Sequence, residues 1–309
     1  MTEESLEIYR RHLWTALQSV GRRPIMDISS EIGQRELRQR MAGSDSFDGG
    51  RTQRWLEDLG ERATWRSVVD RVSGHTIHVI SDRPSWKLTR ELHEGLRLLA
   101  WLTPRPVTWY WWDQPWVRLL PAGEVPGREH VNGGWAIPGK PEVHVYRREE
   151  ALKVMIHEAI HGLELDVRPE LVEPVRSVFE KTLGRTLWPH LGEAFTEFFA
   201  EWLWAIGRSR SLTEARRWWA QQLKCSAGQA ALVWSRIRGI RSAEDTNVFA
   251  YYILKWALMH HSVEVLISPD SSVQHWYQWW TEILPELERA AGSVRAYQPM
   301  RLGMTCPRD

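Results

Sequence analysis

Cysteine, charge imbalance and long apolar runs are what this 309-residue chain has least of. Its two cysteines, Cys225 and Cys306, lie far apart and in no metal-binding spacing. That disfavours a disulfide framework and makes a reducing compartment, the cytoplasm, the default expectation. With 40 Lys and Arg against 39 Asp and Glu, the net charge is +1. Such a balance offers no basic surface to nucleic acid or to an anionic membrane. The longest apolar run, VFAYYILKWALM (248–259), contains Lys255 and is too short to cross a bilayer. The opening MTEESLEIYRRHLWTALQSV is charged and amphipathic and lacks the apolar core of a secretory signal. No repeat of fixed period appears. A soluble globular protein is expected, since 43% of residues are hydrophobic and 26% charged.

Tryptophan is the abundant oddity, with 20 residues and the run TWYWWDQPW (108–116). An aromatic core is the plain reading; the sharper one is an aromatic wall along a substrate groove. Helical patterns are expected over 3–20, 30–41 and 52–72, with AGSDSFDGG (42–50) as a linker. Alternation predicts strands at 75–80, 106–112, 116–121, 131–137 and 142–147, and an amphipathic helix at 85–102 capped by Ser85. These strands form one small sheet. Beyond 147 the pattern turns helical: 148–165, 170–184, 190–207, 212–237, 246–266 and 273–291. The fold class is therefore α+β, a small mixed sheet with helices followed by an all-helical half. Three parts are expected: a helical extension and linker over 1–50, an α/β lobe over 51–166, and a helical lobe over 167–309.

The chemistry concentrates in KVMIHEAIHGLELD (153–166). His157 and His161 are four apart, so on an α-helix both imidazoles share one face, one turn apart. Both can aim a nitrogen at one ion about 2 Å away. Glu158 is rotated by about 100° around the axis and can lean over the ion's open side. There it takes a proton from an activated water, which is the logic of His-Glu-x-x-His on a helix. Val154, Ile156, Ala159, Ile160 and Leu163 make the helix apolar on more than one side, so the alternative is a pair of ordinary core histidines. A catalytic zinc needs a third protein ligand. In HLGEAFTEFFAEW (190–202), Glu193 and Glu197 share a face among apolar neighbours. Glu193 is expected as the ligand and Glu197 as the carboxylate that orients a histidine; the reverse assignment, or a solvated acidic stripe reaching Glu201, are the alternatives.

HEAIH followed by GEAFTE resembles the gluzincin (thermolysin-like) metallopeptidases, whose second motif reads Asn-Glu-x-x-Ser-Asp. In this chain Glu193 falls on the ligand position, 32 residues after His161, and Glu197 on the orienting acid, while Gly192 replaces the usual Asn. VNGGWAIPGKPEVHVYRREE (131–150) looks like the family's edge strand, hairpin and next strand. The resemblance implies that Asn132 contacts substrate and that the backbone of Gly133, Gly134 and Trp135 pairs with it; a plain turn at Asn132-Gly133-Gly134 is the bland alternative. More loosely, the same segments are similar to uncharacterised metallopeptidases of large DNA viruses. The likeness covers about residues 75–260. It implies one zinc ion, a peptide or protein substrate, Glu158 as general base, and a Tyr or His that donates to the oxyanion. Tyr251, Tyr252, Lys255 and His260 are candidates for that donor, with Tyr252 first and Tyr251 next. Arg147 and Arg148 either anchor a substrate carboxylate or decorate the helix start. The rival readings are a di-iron bundle, which lacks its second Glu-x-x-His, a catalytically inactive zinc-binding or peptide- or glycan-binding module on a peptidase scaffold, and an aromatic-lined glycan or peptidoglycan binder using the tryptophans.

Overall fold

The computed structural model describes residues 25–28, 48–120, 127–166, 191–237, 247–261, 269–292 and 300–301, with positions 11, 15, 35–37 and 39. The helix expected at 3–20, apart from positions 11 and 15, that at 170–184, and most of 30–47 lie outside the described residues. The elements run β1 (Ile25–Ile28), α1 (Arg51–Leu59), β2 (Thr64–Asp70), β3 (Thr76–Ser81), α2 (Ser85–Leu102), β4 (Thr108–Asp113), β5 (Leu119–Leu120), α3 (Arg128–Val131), β6 (Gly134–Ala136), β7 (Glu142–Val145) and α4 (Ala151–Gly162). After these come α5 (Leu191–Arg208), α6 (Leu212–Ile237), a π-helix (Phe249–Leu254) continued by α7 (Lys255–His260), α8 (Pro269–Gly292) and β8 (Met300–Arg301). The class is mixed α+β.

Six strands form one sheet in the order β1-β2-β3-β4-β7-β6. β3, β4 and β7 are parallel, while β6 at one edge and β2 and β1 at the other are antiparallel to their neighbours. Both faces are covered, which is why the strands read as near-continuous apolar runs. Val68, Ile77, Val79, Trp109, Trp111, Val143 and Val145 face α2, α4 and α5. Ile80, Tyr110, Trp112 and Tyr146 face the other way, with Leu37 and Leu59. The tryptophan run is thus core: Trp109, Trp111 and Trp112 are almost wholly buried. On the second face a ladder of stacked rings crosses four strands, Trp135 on His144 (centroids 3.6 Å, 4° between planes), His144 on Tyr110 (5.1 Å) and Tyr110 on His78 (5.5 Å). A separate core joins α5, α6, the π-helix, α7 and α8. Helix α5 belongs to both cores, since Phe195 and Phe198 enter one and Trp202 and Ile206 the other.

Several expectations are corrected. The stretch 52–72 is not one helix: α1 stops at Leu59 and β2 begins at Thr64. Gly60 breaks it, with φ +50° that favours glycine. Residues 25–28, expected within a helical extension, instead form β1 against β2. Residues 116–121 do not join the main sheet; Leu119–Leu120 pair with Met300–Arg301 in a two-stranded sheet of their own. Ser85 is the first residue of α2, and the cap position is Pro84, with no side-chain cap bond. Cys225 is disulfide-bonded, so the cysteine argument for a reducing compartment loses its support; Cys306 lies outside the described residues. No helix among the described residues is long and apolar enough to cross a membrane.

Candidate metal centre

Every residue of α4 except His161 is buried, between β6 and β7 on one side and α2 and α5 on the other. The helix starts directly after Glu150, which sits in the left-handed region (φ 59°). The 3.6-residue period brings His157 and His161 to one face, and α5 alongside brings Glu193 to them. His157 Nε2 lies 3.1 Å from His161 Nε2, and each lies 3.2 Å from Glu193 Oε2.

The tautomers follow from the far sides of the rings. His157 Nδ1 donates to Glu197 Oε2 at 3.0 Å, and His161 Nδ1 donates to Asp166 Oδ2 at 2.6 Å. A carboxylate only accepts, so both Nδ1 atoms carry hydrogen and both Nε2 atoms of the neutral rings present lone pairs. With both rings neutral, two lone pairs and a carboxylate oxygen converge on one point. A bound cation would satisfy all three, and without one a proton on His161 Nε2 does so by donating to Glu193 Oε2. Ligand atoms about 2.0–2.1 Å from a tetrahedral ion stand roughly 3.3 Å apart, so the observed triangle fits zinc. His161 and Glu193 keep 17% and 24% of their side-chain surface exposed, which leaves one side of the cluster open.

Asp166 was not foreseen as a partner of His161. Helix α4 ends in a Schellman motif, with Leu165 N–H on the Ile160 carbonyl and Glu164 N–H on that of His161. Glu164 takes the left-handed position (φ 56°) usually given to glycine. That reversal folds Asp166 back beneath His161. On the other side Glu197 is held in turn: it accepts from Lys153, and Lys255 Nζ stands 3.8 Å from the same oxygen. Glu201 lies 3.8 Å from Lys255. All four side chains are sealed from solvent, so two lysines and two glutamates partner one another behind His157.

Burial holds the His157 imidazole down to about 4. For His161 burial acts the same way, but the Asp166 and Glu193 carboxylates outweigh it and push the group up to about 11. Against its own burial, Glu193 is held well below the usual carboxylate range by hydrogen bonds from the two histidines. Burial pushes Glu158 up to about 8.

Glu158 lies on the wall of a cavity of about 20 Å³, with His157, Arg118, Asn132, Gly133, Gly134 and Tyr251. Strand β6 presses on this wall. A Cβ on Gly133 would come 3.1 Å from Val154 Cγ2, and one on Gly134 would collide with the His144 carbonyl and stand 3.0 Å from Glu158 Cγ. These glycines are therefore the close-approach residues of a strand, not a plain turn. Tyr146 N–H donates to Gly133 O, and Gly134 is opposite Val145. By antiparallel alternation Gly134 turns its N–H and C=O to the side of β6 on which no described strand pairs. Trp135 stacks on His144 and does not line the cavity.

Tyr251, not Tyr252, reaches the cluster. Its ring is 5.8 Å from that of His157, edge to face, and it hydrogen-bonds Asn247. Tyr252 is buried with Arg118, Glu150 and Glu149 as its charged neighbours, and Lys255 belongs to the ion cluster behind His157. His260 is exposed and packs edge-on against Trp256. Nor does either early arginine reach for a ligand: Arg147 donates to the carbonyls of Asn132, Val117 and Glu129, and Arg148 pairs with Asp82 and Asp113. Sequence reasoning also passed over Arg118, which is fully buried and bound to Glu150 and the Val131 carbonyl. Comparison with known protein families, curated proteins and solved structures finds no match for this chain.

Proposed function

We propose that this chain is a zinc-dependent metallopeptidase of the gluzincin kind. In this reading an α/β lobe (51–166) ends in the helix bearing the two histidines, and a helical lobe (167–309) supplies the third ligand. The observation that carries the reading is the convergence of His157 Nε2, His161 Nε2 and Glu193 Oε2 at 3.1–3.2 Å, with Glu158 and an open sheet edge beside it.

A zinc ion, when bound, supplies a Lewis acid and an acidified water. The rest belongs to the protein. Glu197 and Asp166 fix the two imidazoles in the tautomer that offers Nε2. Glu158, as a carboxylate, accepts the proton of the attacking water and passes it to the leaving amine. Tyr251 donates a hydrogen bond to the developing oxyanion. The open edge at Gly134 aligns a peptide by its main chain, which reads backbone more than side chains. Glu158 and the edge strand touch because Gly134 has no side chain, so the base and the aligned carbonyl are held within one wall.

The test is to purify the protein, count its metal, and compare wild type with Glu158→Gln on a mixed peptide library. About one zinc per chain in both proteins, with cleavage by wild type alone, is expected. Zinc without cleavage in either would move the protein to a binding module. Iron instead of zinc would point to the redox chemistry that a two-histidine, one-carboxylate site also supports.

A further inference from the structure

We propose that Arg118 is a carboxylate-reading subsite, so that the protein selects peptides carrying a carboxylate just downstream of the bond that is cut; this rests on the peptidase reading above. The Arg118 side chain has no solvent exposure. Its Nε donates to the Val131 carbonyl at 2.7 Å and its Nη1 to Glu150 Oε2 at 2.8 Å. Its Nη2 has no partner. A buried cationic donor left unmet is costly, and native proteins keep such groups where something else completes them. Among the described residues, Nη2 is the one unpartnered buried polar atom on the wall that also holds His157, Glu158 and Tyr251.

The neighbouring backbone comes close to this donor. Arg118 lines the same small cavity as Gly133, and a Cβ on Gly133 would stand 2.5 Å from Arg118 Nη2, so a larger residue there would crowd it. Direction follows from the sheet. A peptide added to β6 in the favoured antiparallel sense runs opposite to Gly134→Ala136. Its C-terminal side therefore lies at the Gly133 end, where Arg118 is. A guanidinium with a free nitrogen binds a carboxylate by charge-assisted hydrogen bonds. That carboxylate is either the peptide's own C-terminus or an acidic side chain in the first two residues after the cut.

The measurement uses unmodified, zinc-loaded protein and matched peptides. One pair differs by Glu or Gln after the cut, the other by a free or amidated C-terminus. A preference of about 10–100-fold in kcat/KM for the carboxylate member of one pair is expected, and the pair that shows it names the source. Equal rates within both pairs overturn the proposal and leave the peptidase reading intact. Binding of the same peptides to zinc-loaded Glu158→Gln, by calorimetry, gives a readout that needs no turnover. If wild type cuts nothing, equal affinities there overturn the proposal and a carboxylate preference upholds the subsite alone. Gly133→Ala is the second variant, because it crowds Nη2 and leaves Arg118 itself in the sequence. It should erase the preference while the circular dichroism spectrum stays native. A preference kept in Gly133→Ala would assign the carboxylate to another cation and overturn the proposal.

Discussion

Asp166 Oδ2 accepts a hydrogen bond from His161 Nδ1 across 2.6 Å, and the two residues are joined by a chain reversal centred on Glu164. The carboxylate fixes ring orientation and raises ligand basicity. On the proposed zinc reading, Asp166→Ala should lower zinc affinity by about 10–100-fold, read by competition against a fluorescent chelator. Unchanged affinity would mean that packing alone orients His161.

Lys153 and Glu197 are both sealed in the interior. Removing one partner of a buried pair leaves an uncompensated charge and costs about 3–5 kcal/mol. Lys153→Met should lose about that much in urea denaturation. Adding Glu197→Gln to it should return part of the loss, since the double variant buries no unpaired carboxylate. Additive losses would deny that the two groups are coupled.

Gly134→Ala places a methyl against the His144 carbonyl and Glu158 Cγ. Overpacking of this kind costs about 1–3 kcal/mol. On the proposed peptidase reading the larger effect is expected on turnover, because β6 must move away from Glu158. A variant with wild-type kcat/KM would show that the edge strand does not set the geometry of the base.

Burial raises Glu201 from 4.5 to about 7. The folded protein therefore keeps this proton between pH 4.5 and about 7, where the unfolded chain has released it. The contribution of Glu201 to stability is full below pH 4.5, falls through that window and is flat above it. Glu201→Gln cannot titrate, so the difference between wild type and variant should grow by on the order of 2–3 kcal/mol from pH 4.5 to 7. Parallel stability curves over that window would refute the assignment.

The sequence carried the local part of the site and little of its support. Helices with an uninterrupted period were read to the residue, as at 85–102 and 212–237. The convergence of the two histidines with Glu193 was legible because a helix converts spacing directly into direction. β2 was missed because its two-sided burial removes the alternation that marks a strand. Asp166 depends on a left-handed residue at Glu164, and nothing in that side chain announces one. The order of the two tyrosines failed for a related reason. An α-helical phase was assumed through 246–266, but Phe249–Leu254 form a π-helix. A π-helical turn holds an extra residue and so shifts the angular phase of the helix, and Tyr251 rather than its neighbour meets His157. Arg118 was invisible, since a guanidinium's unmet nitrogen is a property of packing alone.

The ring ladder across the second face of the sheet bears on how β6 meets a ligand. The strand is only three residues long, and three ladder residues alone would fluctuate. Clamped through Trp135 against His144 at 3.6 Å, its backbone has already surrendered its conformational freedom before anything docks. On the proposed peptidase reading, an incoming chain bears only its own ordering entropy, and preorganisation, not contact area, sets its affinity for that edge.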